Sequence, residues 1–170
     1  MKIFVTSDTH FGHENIIKFC NRPFKNAHFM DLELIERWNS VVTPDDIVYH
    51  LGDFAYKISG NKIINIIEQL NGKIILIKGN HDGKTLKVNS VHNFFETQNY
   101  VSLTHDNKKV CLFHFPIEEW DGKHNGSIHL HGHSHGVLDF LNVKNRLDVG
   151  VDSHNFTPVE LSTAILLAQK

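Results

Sequence analysis

Lys2-Ile3-Phe4-Val5-Thr6-Ser7-Asp8-Thr9-His10 opens the chain with an apolar run, Lys2–Thr6, that reads as a buried strand and ends on metal-ligand residues. The same arrangement recurs four times further on. Asp46–Leu51 leads to Gly52-Asp53, and Lys73–Lys78 leads to Gly79-Asn80-His81-Asp82. Val110–Phe113 leads to His114, and Ile128–Leu130 leads to Gly132-His133-Ser134-His135. In an open α/β sheet the ligand crevice lies beyond the carboxyl ends of the strands. Residues far apart in sequence therefore converge on one edge, so the pattern that defines the fold also places the site.

Working outward, helical intervals separate the strands of the first half. Glu14–Phe19 reads as a short helix stopped by Asn21-Arg22-Pro23. Phe29–Val42 carries Met30, Leu34, Trp38 and Val41 at helical spacing, and Lys62–Leu70 carries Ile63, Ile66, Ile67 and Leu70. These stripes are core faces, with no cofactor box to be read into them. From residue 99 onward Tyr100–Leu103, Lys109–Phe113, Ser127–Leu130 and Arg146–Val151 are strand-like with few helices between. That pattern predicts a second sheet of hairpins packed on the first. Thr157-Pro158-Val159-Glu160 has the form of a capping box with proline at the first helical position, opening a helix to Ala168; a final strand is the rival reading. The expectation is one α/β domain over residues 1–170.

Bulk properties narrow the function classes. The 170 residues suffice for one substantial core. A net charge of −2 gives no electrostatic footprint for a polyanion groove, so long nucleic acid is not the expected partner. Cys20 and Cys111 form no zinc motif and signal no oxidising compartment. The chain enters its first strand without the apolar core of a signal peptide, and no apolar run is long enough to span a bilayer, so a cytoplasmic protein without membrane contact is expected. Fourteen histidines are the anomaly, and many lie in the motifs above.

The ligand types fit a two-cation site. Asp8, His10, Asp53, Asn80, His114, His133 and His135 supply oxygen and imidazole donors and no thiolate. That set suits manganese, iron, zinc, nickel or cobalt better than calcium or magnesium, with manganese the first choice. Asp53 is the candidate bridge, because a carboxylate can join two cations and Gly52 lets the backbone approach. Asp8 and His10, read as alternating along an extended segment, project the same way, and His133 and His135 repeat that spacing.

The order Asp-x-His, Gly-Asp, Gly-Asn-His-Asp, His, Gly-His-x-His resembles the calcineurin-like metallophosphoesterase superfamily, most closely its compact, cap-less bacterial and phage members that open with Ser-Asp-Thr-His-Phe-Gly-His. The resemblance spans residues 8 to 135. It implies a four-layer α/β/β/α sandwich, two mixed sheets flanked by helices. By that pattern Asp8, His10, Asp53 and His135 hold one divalent ion, while Asp53, Asn80, His114 and His133 hold the other. His81 is the implied catalytic histidine beside the leaving group, with Asp82 orienting it.

The implied reaction is hydrolysis of small phosphodiesters, nucleotides among them, by hydroxide shared between the two cations. A phosphomonoesterase, an end-acting nuclease or a binding scaffold with a quiet site are the alternatives. Where many relatives read Gly-Asp-x-x-x-Arg, this chain has Gly52-Asp53-Phe54-Ala55-Tyr56-Lys57. His13 and Arg22 are candidates for contacting substrate phosphate, against the plainer reading of solvated loop residues. Asp152 is a weaker candidate for the pocket wall. Trp120 is a candidate for stacking on a base, with simple packing the equal alternative.

Overall fold

The computed structural model describes residues 1–170 apart from Phe140. Among the described residues nine strands form two mixed sheets. The first has the order β4-β3-β2-β1-β9 and the second the order β5-β6-β7-β8. In the first, β1 (Ile3–Thr6), β2 (Ile47–His50), β3 (Lys73–Ile77) and β4 (Glu96–Gln98) run parallel, and β9 (Val159–Glu160) pairs antiparallel to β1. In the second, β5 (Val101–His105) and β6 (Lys108–Leu112) are antiparallel, while β6, β7 (Ile128–His131) and β8 (Arg146–Asp148) are parallel. The sequence led to an expectation of hairpins throughout this second sheet. Only β5 and β6 form one, because a parallel crossover can be made by a loop as well as by the helix whose period would announce it.

Side-chain alternation explains the layering. Phe4, Val48, Ile74 and Leu76 pack against α1 (Glu14–Phe19), α2 (Ala27–Val41) and α3 (Gly60–Ile67), whereas Val5, Leu51 and Ile77 face Val110, Leu112, Ile128 and Leu130 of the other sheet. The first sheet is thus covered on both faces, as its near-continuous apolar strands require. The helix α5 (Leu161–Ala168) closes the sandwich, with Leu161, Ala164 and Ile165 buried in the inter-sheet core. Its start corrects one expectation. Thr157–Glu160 is not a capping box, because Val159 and Glu160 pair with Val5 and Phe4 and the helix begins only at Leu161.

Two elements have little sequence signature. The helix α4 (Gly83–His92) buries only Thr85 and Asn89, and every residue of β4 is exposed. Among the described residues no helix is long and apolar enough to cross a membrane.

Candidate metal centre

Strand register sets the site. Thr6 lies beside His50, and His50 beside Leu76, so the loops after β1, β2 and β3 leave one sheet edge together. Backbone bonds tie the first two: Asp8 N donates to Gly52 O at 3.0 Å and His10 N to Asp53 O at 3.0 Å. The second sheet joins through a bridge between Ser7 and Gly150, with Val151 N donating to Ser7 O at 3.0 Å.

Five of the candidate ligand residues are not in extended segments. Asp8, His10, Asp53, His133 and His135 all have φ between 48° and 67°. This replaces the alternation expected for Asp8/His10 and His133/His135: left-handed turns, not strand pleats, aim these side chains. His129 and His131, on β7, are buried, whereas His133 just beyond the strand is exposed. Left-handed backbone in non-glycine residues costs on the order of 1–3 kcal/mol each and persists only where the surroundings enforce it.

The side chains form two clusters. Donor atoms of Asp8, His10 and His135 lie within 4.8 Å of one another, as do those of Asp53, His114 and His133. Asp53 Oδ2 joins the clusters, 3.6 Å from His10 Nε2 and 3.7 Å from His114 Nε2. Its Oδ1 accepts from His81 N at 2.8 Å. Asn80 Oδ1 is 2.9 Å from His114 Nε2.

These residues fit a cation, as their unmet bonding shows. Asp8 Oδ1 and both ring nitrogens of His10 are buried without a hydrogen-bond partner, and each such atom costs about 1–3 kcal/mol. His114 Nδ1 lies 2.7 Å from the Leu51 carbonyl and therefore carries the proton, leaving Nε2 as a bare lone pair facing the Asn80 oxygen. Two lone pairs turned on one point are repulsive without a positive centre between them. Burial drives His10 far below the usual imidazole range, which keeps it in the neutral form that binds metal. Burial also pushes the Asp8 carboxyl up to about 7, the penalty a bound cation would offset.

Neighbouring residues hold the ligands. His135 Nδ1 donates to Asp152 Oδ2 at 2.7 Å, which turns Nε2 toward Asp8. Burial opposes the charged imidazole, but the bond to Asp152 with Cys20 and Asp8 nearby outweighs it and pushes His135 up to about 10, so a cation held there would have to displace a proton.

Arg22 serves the same purpose, and this corrects its candidacy for substrate. Its buried guanidinium donates to Asp152 Oδ1 and Oδ2 at 2.8 Å each, to Asp8 O at 2.8 Å and to Thr9 O at 3.1 Å, leaving nothing for a phosphate. Asp82 is also not where the sequence placed it. Its carboxylate accepts from Asp53 N, Phe54 N and Gly79 N at 2.8–2.9 Å, so it fixes the loop that carries Asp53, not the His81 ring. Tyr56 flanks that ring edge-on at 4.9 Å between centroids.

A cavity of about 810 Å³ opens over the clusters, and His10, His13, Asp53, His81, His133 and His135 all line it. Tyr56, Lys57 and Cys20 also line it; Lys57 stands where many relatives have arginine, whereas no motif marks Tyr56 or Cys20. Trp120 does not stack at the site; it is buried, with Nε1 donating to Ser127 O at 3.2 Å.

The chain belongs to the calcineurin-like phosphoesterase superfamily, whose domain model matches residues 1–148. It is accordingly a phosphoesterase, a hydrolase of phosphate esters, from a superfamily that generally binds divalent metals. An uncharacterized protein of Methanocaldococcus jannaschii is 40% identical over 177 residues, covering 99% of this chain and 92% of that protein. The gene 66 protein of Mycobacterium phage L5 is 29% identical, covering 87% of this chain and 85% of its own length. Among solved structures, a protein of unknown function from Aquifex aeolicus superposes with a TM-score of 0.76 at 25% identity, covering 98% of both chains.

Proposed function

We propose that this chain is a two-metal phosphodiesterase for small esters. Asp8, His10, Asp53 and His135 would hold one ion, and Asp53, Asn80, His114 and His133 the other. The observation that carries the proposal is the position of Asp53 Oδ2 between His10 and His114, at 3.6 and 3.7 Å, beside the buried and unpartnered Asp8 Oδ1 and His10 ring nitrogens. Divalent cations bound there, manganese in the first instance, would lower the pKa of water from about 15.7 toward ~7 and neutralise phosphoryl oxygens.

The residues around them bind, aim and deliver protons. Asp152 and Arg22 keep His135 and the Asp8 loop in place, and Asp82 keeps Asp53 in place. His81 is exposed at the cavity, its backbone anchored on Asp53 and its ring held by Tyr56. It donates a proton to the departing oxygen, a contribution of typically ~10²–10⁴ in rate. Lys57 is the only lysine or arginine among the described residues lining the cavity, which favours a singly charged diester over a doubly charged monoester.

Turnover of bis-para-nitrophenyl phosphate and para-nitrophenyl phosphate by manganese-loaded protein tests the reading. Diester hydrolysis should exceed monoester hydrolysis and be abolished by chelator and by Asp53→Asn. His81→Ala should lower kcat by about 10²-fold or more with both ions still bound. Two bound ions per chain with no turnover of either ester would sink the proposal, as would full activity in Asp53→Asn.

A further inference from the structure

A metal cradle grips a phosphoryl group and is blind to what is esterified to it. The rest of the cavity must supply that selectivity. Its volume of about 810 Å³ far exceeds what a phosphate ion needs and lies in the range that encloses a drug-sized molecule. Phe19, at the end of α1, is 73% exposed, and Val137, two residues past His135, is 70% exposed. Isolated apolar side chains on a surface need no explanation. These two come from a helix end and a separate loop, and line the same cavity.

Aromatic rings connect this rim to the metal clusters. The His13 ring stands 6.3 Å edge-on from Phe19, 4.1 Å from Tyr56 and 5.3 Å from His10, so rings run from the mouth to a ligand. Charge is scarce along that path. The Lys57 ammonium sits 4.9 Å over the Tyr56 ring, the Arg22 guanidinium is committed to Asp152, and the Glu14 carboxylate accepts from Ala27 N at 2.8 Å. Such a wall offers stacking and apolar contact and little that would pair with a polyphosphate or a long nucleic-acid backbone.

We infer that Phe19, His13 and Val137 form a subsite for a planar aromatic group of the substrate, a nucleobase or an aryl ring, beside the phosphoryl-binding clusters. The inference builds on the phosphoesterase reading by naming the class of ester, and it assigns the recognition to residues that hold no metal. Phe19 is the main platform, because its exposed ring can lie against a second ring without displacing anything.

The test is calorimetric titration of manganese-loaded wild type, Phe19→Ala and Val137→Ser with adenosine 5′-monophosphate, phenyl phosphate and inorganic phosphate. Both substitutions fall on exposed side chains, so folding is preserved. Phe19→Ala should weaken the aromatic esters about tenfold, the worth of one stacking contact, and Val137→Ser should weaken them less. Inorganic phosphate should change by less than twofold. Adenosine monophosphate binding more tightly than phenyl phosphate assigns the subsite to nucleotides, and the reverse order to aryl esters.

Wild type that binds neither ester better than phosphate would overturn the inference, as would equal losses for all three probes. Phe19-dependent binding without hydrolysis of any ester would retain the subsite and discard the catalytic proposal. Hydrolysis indifferent to Phe19 would do the opposite.

Discussion

Asp53 is where residue chemistry and backbone strain coincide. It bears the carboxylate between the two histidine clusters and sits at φ 57°. Asparagine tolerates that conformation better than alanine does. Asp53→Asn should therefore keep the fold and lose bound metal, while Asp53→Ala should lose both metal and about 1 kcal/mol of stability more than Asp53→Asn. Metal content by atomic absorption and urea unfolding of the metal-free proteins separate the two effects.

Asp152 is a positioning residue. Removing it frees the His135 ring and strands the buried Arg22 guanidinium. Asp152→Ala should weaken metal binding by ~10–100-fold and cost roughly 3–5 kcal/mol in stability, the usual result of leaving one buried charge unpaired. Asp152→Asn, which still accepts from His135, should retain much of the metal affinity. Equal affinity in wild type and Asp152→Ala would deny the residue this role.

At the level of elements, the site depends on loops passing closer than side chains allow. Gly52 has φ 98°, and a Cβ there would lie 2.5 Å from Gly79 N and 2.7 Å from His114 Nδ1. Gly52→Ala should cost about 2–5 kcal/mol, combining backbone strain with overpacking. Gly83→Ala is the control: it begins α4 with nothing within 4 Å of an added Cβ, and should be neutral or slightly stabilising. Urea midpoints decide, and a Gly52→Ala protein as stable as Gly83→Ala would contradict the packing argument.

The same scale shows what was legible in the chain. The inner strands of the first sheet are audible because both faces are buried, so Ile3–Val5 and Ile74–Ile77 are apolar throughout. β4 and α4 are silent because β4 is exposed and Asn89 fixes the end of α4 with polar bonds to Phe95 N and O. The donor residues could be picked out because their types and order are distinctive. Their supporting bonds could not, since whether Arg22 meets a substrate or Asp152 depends on a chain that folds back across a separation of 130 positions.

For the whole molecule, cation binding and protonation should govern stability together. A ligand at 100 times its Kd adds about 2.7 kcal/mol, and for a domain of this size each kcal/mol moves Tm by roughly 2–4 °C. Manganese should therefore raise Tm by about 5–10 °C over protein in chelator. In chelator, acid should destabilise the fold through buried histidines that are not ligands. Burial holds His50 down to about 3 and His129 to about 4, whereas unfolded imidazoles titrate near ~6.5.

Between pH 6.5 and those values the unfolded chain binds protons the native state refuses, so stability falls as pH falls. Each group contributes at most about 1.4 kcal/mol per pH unit. Asp46 acts lower in the range. Bonds from Lys2 N, Thr43 N and Thr43 Oγ1 hold it down to about 2, so its contribution is complete above ~4 and disappears between there and 2. His50 donates from Nε2 to Thr9 Oγ1 and accepts from Gly52 N at Nδ1, which requires the neutral ring. His50→Gln should accordingly lose less Tm than wild type on going from pH 7 to 5 in chelator. Since the ligand histidines are common to both proteins, the difference in slope isolates this residue, and parallel slopes would mean that His50 takes up its proton without unfolding the chain.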